Sequence, residues 1–401
     1  LPLAPPFATF DRMHKESARN SRIYRHFYSF EDSKPMASIV LFGATGYTGQ
    51  LTARAMVARG LAPVLAGRNQ QALKALAQEL GGLDVRVADV SEPVSVRRIV
   101  KGGDVLVSTV GPFTRFGKPA LDAALAGKAH YLDSTGEPGF IRQVFEDYDA
   151  RARAAGKTFV TAFGYDYVPG NTAAAAALKH AGSKAVRVDV GYFVEGGAAF
   201  GMSQGTRASL VGAMLDPGIF FNDGARQPGL GGLRTRKFSL DGKMHYAISV
   251  PGSECIALPS SFPQLRDVNV YLGWFGALSP VMSGLSRAQG LLFRVPGYKR
   301  AMGWVSNRVG SSGHGPDEAA RASNGSHIVA VACDAEGNEL AVAELRGANG
   351  YTYTANMLAW GAEQALAGRV QASGAVGPVA AFGLDALLRG NREAGLELSL
   401  R

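Results

Sequence analysis

Cysteine is nearly missing from this chain: Cys255 and Cys333 are the only two in 401 residues. Two isolated thiols build neither a disulfide framework nor a metal-ligand cluster, and they favour a reducing compartment, so a cytoplasmic location is expected. The scattered histidines contain no H-x-x-x-H pair, and no metal site is expected. No recognition helix, basic heptad or RNA-binding aromatic motif is present, which argues against a nucleic-acid partner. Long apolar runs are also scarce. The uncharged stretch from Val268 to Ser286 opens as a strand and is broken by Gly273, Gly276, Pro280 and Gly284. It is therefore not read as a membrane span, though it suits an apolar substrate channel, peripheral membrane contact or a subunit contact.

What remains fits a two-domain globular protein of ordinary composition, 46% hydrophobic and 19% charged, with 51 glycines. The formal charge of +9 suits an anionic small molecule. Leu1 to Pro35 stand apart. They mix proline punctuation with dispersed charge and have no signal-peptide core. This stretch is read as an extension, disordered or lying upstream of a natural start at Met36.

The informative stretch is Ser38 to Gly49. A β-branched, apolar run ends in Gly43, Gly46 and Gly49, spaced three apart, and a helical pattern begins at once. A strand, a tight turn and a helix N-terminus in that order receive a dinucleotide pyrophosphate. Gly43 allows the sharp turn, Gly46 the close approach of phosphate and Gly49 the packing of helix on sheet. Thr45, Tyr47 and Thr48 complete the loop. The second strand, Leu61 to Ala66, runs into Gly67-Arg68-Asn69. The carboxylate that would bind a ribose 2′-OH is absent there, and Arg68 offers a guanidinium to a 2′-phosphate instead, which points to NADP. A third strand, Val85 to Val90, places Asp89 and Val90 beside the adenine. A fourth, Asp104 to Val110, runs through Val110 into Gly111-Pro112-Phe113, facing the ribose and nicotinamide. Ser91 and Pro93 open one helix; a later helix covers Phe140 to Ala155, and Asn171 is the expected N-cap of the next, Asn171 to His180. Strands alternating with helices at this length give an α/β class with a doubly wound parallel sheet, a Rossmann fold.

FGATGYTG, the AGR after the second strand, the block STVGPFTRFGKPALDAALAGKAHYLDSTGE and AFGYDYVPGN together resemble the saccharopine dehydrogenase-like oxidoreductases. That group includes the trans-acting enoyl reductases of mycobacterial lipid assembly. The likeness is good over roughly residues 37 to 180 and is mainly one of layout beyond. It implies an NADP-binding Rossmann domain with an inserted α+β domain for substrate and often for a homodimer, and it leaves the substrate open. On this basis the chain divides into 1–35, a Rossmann domain over 36–180, an α+β domain over 181–349, and C-terminal helices over 350–401 returning to the Rossmann domain. Within the second domain Val186 to Val194 alternates as a strand, Met202 to Met214 is helical and Gly224 to Lys237 is a basic loop. Phe238 to Tyr246 and Ile328 to Leu345 are hairpins.

Hydride transfer needs a held nicotinamide and, often, a proton donor. No tyrosine has Lys four residues later, so the Tyr-x-x-x-Lys device is absent. Neither cysteine has a visible partner for nucleophilic work. Tyr165 and Asp166, at the carboxyl end of the sixth strand, are the catalytic candidates, Tyr165 as proton donor and Asp166 orienting it, binding substrate or capping the turn. Arg115 and Lys118 are candidates for binding a substrate carboxylate or phosphate. The expected activity is NADP(H)-dependent oxidoreduction of a small molecule, with C=C (enoyl or lipid-like) or C=N/C=O as the reacting bond. The apolar second domain favours an acyl substrate. The alternative is an NADP-binding sensor or scaffold without turnover.

Overall fold

The computed structural model describes residues 37–196, 217–286 apart from 275, 282 and 285, and 315–401. The expectations for residues 1–35, for the Met202–Met214 helix and for most of the stretch after Gly273 lie outside these residues.

The first sheet is built from β1 (Ile39–Phe42), β2 (Val64–Gly67), β3 (Val85–Val87), β4 (Val105–Ser108), β5 (His130–Asp133), β6 (Thr158–Val160) and a short strand from the C-terminal region, Gly374–Ala375. All pair in parallel, in the order Gly374–Ala375, β6, β5, β4, β1, β2, β3. The order reverses beside β1, and the crevice at the carboxyl ends of β1 and β4 is the switch point where such sheets take ligands. Strands as short as IVLF and VLVS are buried along their whole length because helices cover both faces. Leu41, Leu65, Val107 and Leu132 enter one core layer, while Val40, Phe42, Val64, Leu106 and Tyr131 enter the other. The fold is an α/β Rossmann sheet carrying a second, mixed sheet.

The second sheet runs β10 (Thr235–Leu240), β11 (Lys243–Val250), β12 (Asp267–Leu272), β7 (Arg187–Gly196), β13 (Asn324–Cys333), β14 (Glu339–Gly347) and a last strand, Leu396–Leu400. β12 and β7 are parallel and the other neighbours antiparallel. A side hairpin, β8 (Gly218–Asn222) with β9 (Ala225–Gly229), attaches to β12. The helix Val168–Ala181, rich in alanine, packs on β13 and β14, and the helix Gly350–Leu366 packs on Tyr47–Ala58. Small side chains let backbones approach closely, which binds the two sheets into one unit.

Several local expectations are corrected. The basic stretch 224–237 contains β9 and the start of β10 rather than a plain loop. β3 stops at Val87, because Asp89 turns back to accept from the Ser91 N–H and hydroxyl, and the next helix takes Glu92, not Ser91, as its N-cap. The helix after β5 starts at Pro138 and passes through a π turn over Val144–Tyr148. Asn171 is not a cap. It lies fully buried in the first turn of Val168–Ala181, donating to Tyr167 O and Ser253 Oγ. The stretch 350–401 is not helices alone, since it adds an edge strand to each sheet.

Candidate active site

The glycine loop leaves β1 with Gly43 at φ 91°, a left-handed conformation that a side chain resists. A Cβ on Gly49 would stand 2.1 Å from Gly43 O, so helix and strand meet at a distance only glycine permits. Gly46 caps Tyr47–Ala58 without a side-chain hydrogen bond, and no acidic residue occupies the first turn. The first N–H groups of that helix are therefore left to an anion at its positive end. Thr45 has its carbonyl taken by the Gln50 amide. The Tyr47 ring is turned away from the loop: it lies edge-on to Tyr351, its hydroxyl donates to Pro316 O, and Arg321 donates to it.

Arg68 is exposed at the carboxyl end of β2 and makes no hydrogen bond or ion pair among the described residues. Asp89, its carboxyl held low by the Ser91 hydrogen bonds and further by the positive charge of Arg68, faces it from the end of β3. Val90 is half-buried against the core, and Val110 borders Gly43. Gly111 and Pro112 form the turn after β4. Phe113 does not face the crevice: its ring is buried against Phe140, 5.5 Å between centroids. The turn is held by Glu137, whose carboxylate accepts from Phe113 N at 2.7 Å, Thr114 N at 2.9 Å and the Thr114 hydroxyl at 2.6 Å. Residues of the GPF and TGE blocks are thus parts of one hydrogen-bonded construction.

A cleft of about 630 Å³, open mouth included, lies between the two sheets. Thr48 of the glycine-loop helix, Ser134 after β5, and Tyr165 and Asp166 after β6 line one side. Val194, Gly325 and Ser326 of the second sheet and Trp274, in the turn after β12, line the other, and Asn349, Gly350, Tyr351 and Thr354 close the end. Asp166 is the single charged residue in this lining, and its carboxylate has no hydrogen-bond partner among the described residues. Burial alone pushes its pKa up to about 6, because the charged form loses hydration without gaining a donor. Tyr165 donates its hydroxyl to Phe193 O at 3.3 Å, and burial raises it further from ionising. Its backbone N–H is held by Thr354 Oγ1 at 2.9 Å.

Arg115 and Lys118 do not reach the cleft. Arg115 stacks on Phe116, and Lys118 pairs with Asp122 at 2.6 Å on the surface. Cys255 and Cys333 are buried, and burial pushes the Cys255 thiol up to about 12, far from a nucleophile's range. Among the described residues no three His, Cys, Asp or Glu side chains gather as a metal site. No helix among them is long and apolar enough to cross a membrane.

Residues 39–160 match the family model of the saccharopine dehydrogenase NADP-binding domain. Those residues are similar to that NADP-binding domain. A trans-acting enoyl reductase of Mycobacterium ulcerans is 37% identical over 137 residues, and one of Mycobacterium bovis is 34% identical over the same length. Each match covers 33% of this chain and 33% of the relative, so the chain spans about a third of the length of these relatives. Saccharopine dehydrogenase (L-Glu forming) from Saccharomyces cerevisiae shares the fold at a TM-score of 0.59 and 12% identity, covering 91% of this chain and 100% of that one. The cofactor of the saccharopine dehydrogenase-type domain is NADP. The open helix N-terminus, capped by Gly46 without a side chain, and Arg68, unpaired among the described residues, both fit a phosphorylated dinucleotide.

Sequence reasoning missed most of the far wall. Asn349 carries the one signal that could have been used, an Asn before a helical run, and its Oδ1 accepts from Tyr351 N as an N-cap. Ser326 and Val194 lie in alternating strands whose pattern says nothing about which end borders a cleft.

Proposed function

We propose that this protein is an NADP(H)-dependent oxidoreductase acting on a small molecule bound between the two sheets, with Asp166 as the group that holds and moves the proton. The unpartnered Asp166 carboxyl in the cleft carries this reading. Gly43, Thr45, Gly46, Tyr47, Thr48 and Gly49 would hold NADP(H), with Arg68 for the 2′-phosphate, Asp89 and Val90 for the adenine and Val110 to Pro112 for the ribose and nicotinamide, and the cofactor would supply or accept a hydride. Asp166, with a pKa of about 6, exchanges a proton near neutral pH at Oδ1 or Oδ2. Tyr165 serves by position rather than as the donor: its hydroxyl is engaged by Phe193 O and is too weak an acid. The far wall supplies Val194 and Trp274 as apolar surface, with Ser326 and Asn349 as polar points, which suits an enoyl or other acyl substrate and equally admits a C=N or C=O group.

The test is NADPH oxidation against a panel of enoyl thioesters and of keto acid and amine pairs. Turnover lost in Asp166→Asn, with NADPH binding retained, supports the assignment. NADPH binding with no turnover on any member of the panel would favour a sensor or scaffold.

A further inference from the structure

Glu254, outside the cleft lining, lies in the first turn of the helix Glu254–Ser261, fully buried. Its Oε1 is 2.6 Å from the Tyr192 hydroxyl, and its Oε2 has no hydrogen-bond partner. Room for this carboxyl is made by two glycines. A Cβ on Gly170 would stand 2.3 Å from Oε1, and one on Gly252 would stand 2.4 Å from Oε2. The Tyr192 oxygen also accepts from Gly170 N at 3.0 Å and lies 3.4 Å from Tyr167 O. Tyr192 has one hydrogen and two acceptors within reach. Tyr167 O already accepts from Asn171 N and Nδ2, so the Tyr192 hydrogen goes to Glu254 Oε1. A neutral carboxyl tolerates a bare Oε2, which an ion would not.

Tyr192 bears on the cleft directly. Its ring stands edge-on to Tyr165 at 5.6 Å and to Tyr167 at 5.9 Å, the two residues that flank Asp166. We propose that Glu254 is a positioning residue for Asp166: as a neutral acid it locks Tyr192 against both neighbours of Asp166, and on ionising it raises the proton affinity of Asp166. The inference rests on the reading of Asp166 as the proton-carrying group. Burial places Glu254 at about 8, opposed by the Tyr192 hydrogen bond and reinforced by the charge of Asp166. The titratable groups facing it are Tyr192 from β7, Asp166 and Tyr167 from the loop after β6, and Cys255 beside it, whose thiol also feels the positive charge of Arg234.

The experiment is carboxyl-carbon NMR of the full-length protein labelled at aspartate, with the Asp166 signal identified by its loss in Asp166→Asn. Wild type is expected to show Asp166 titrating near pH 6 with a second inflection near pH 8. Glu254→Gln, isosteric and always neutral, should erase the second inflection and keep the first. Tyr192→Phe, which removes the hydrogen bond favouring ionised Glu254, should move the second inflection to higher pH. Superposable curves in wild type and Glu254→Gln, or an upper inflection unmoved in Tyr192→Phe, would overturn the inference. These readouts need no substrate, so a failure of the oxidoreductase reading, seen as unchanged turnover in Asp166→Asn, is separate from a failure here.

Discussion

In the parallel sheet the labelled strands are three or four residues long and, β3 apart, buried almost throughout, whereas the strands of the mixed sheet run from five to ten residues, buried at its centre and exposed towards its edges. The first kind ends abruptly, and each ending is a turn of fixed chemistry: Gly43 after β1, Arg68 after β2, Pro112 after β4, Asp166 beyond β6. The second kind contributes wall rather than turns, placing Val194 and Ser326 at the cleft by register alone. On the proposed reading, cofactor recognition is concentrated at strand ends and substrate recognition is spread along strand faces. A substrate site of that sort can change without disturbing the cofactor site, because the two are set by different elements.

The comparison breaks most severely at Gly49. Gly49→Ala drives a methyl into Gly43 O, and loss of measurable NADPH binding by calorimetry is expected, with the mixed sheet intact by hydrogen exchange. Asp166→Asn is next, with turnover falling by roughly a hundredfold or more, as for loss of a general acid–base, while the NADPH Kd is unchanged. In the NADPH-oxidising direction wild-type turnover should fall as pH rises through about 6, as the proton-donating form of Asp166 is lost. Arg68→Ala should weaken NADPH by roughly ten- to a hundredfold, the loss of a charged hydrogen bond of about 1.5–3 kcal/mol, and leave NADH unaffected. An equal effect on both cofactors would sink the 2′-phosphate assignment. Glu137→Gln keeps one acceptor of two and should cost about 1–3 kcal/mol, read as a lower Tm.

The smallest effect is on pH. Asp133, buried at the end of β5, and Glu254 sit at about 6 and about 8, both above their unfolded values. The folded state therefore holds their protons more tightly than the unfolded chain. The stability they contribute is fully present below about pH 4 and is lost as pH rises to about 8. Glu254→Gln should flatten the upper part of that decline in Tm.

The legible part of this molecule was the part where sequence encodes a backbone constraint. Gly43 and Gly49 could be assigned because their roles are steric and local, and β1, β2 and β4 because unbroken apolar runs have few other uses. Phe113 was misplaced because a Gly-Pro turn and a core aromatic look alike until Phe140 is seen behind it. Asn171 fits a cap by residue type, yet Tyr167 precedes it by a turn and Ser253, distant in sequence, takes its amide. Arg226, Arg234 and Arg236 read as loop because β9 is exposed along nearly its whole length and charge opens β10; Arg236 pairs with the buried Asp189. None of the far wall, Ser326 to Thr354, is marked by a motif, since its members become neighbours only when the second sheet docks.

Glu137 has a consequence beyond holding its turn. Three helices start near the cofactor edge, after β1, β2 and β4. The second has its opening amides occupied by Asn69 Oδ1, and the third by the Glu137 carboxylate. Only the first has no side chain of its own at that position. An incoming diphosphate meets two plugged sockets and one vacant one, and the negative charge in the third repels it from the wrong berth. On the proposed reading, the chain narrows the choice to the glycine loop partly by filling the competing places itself.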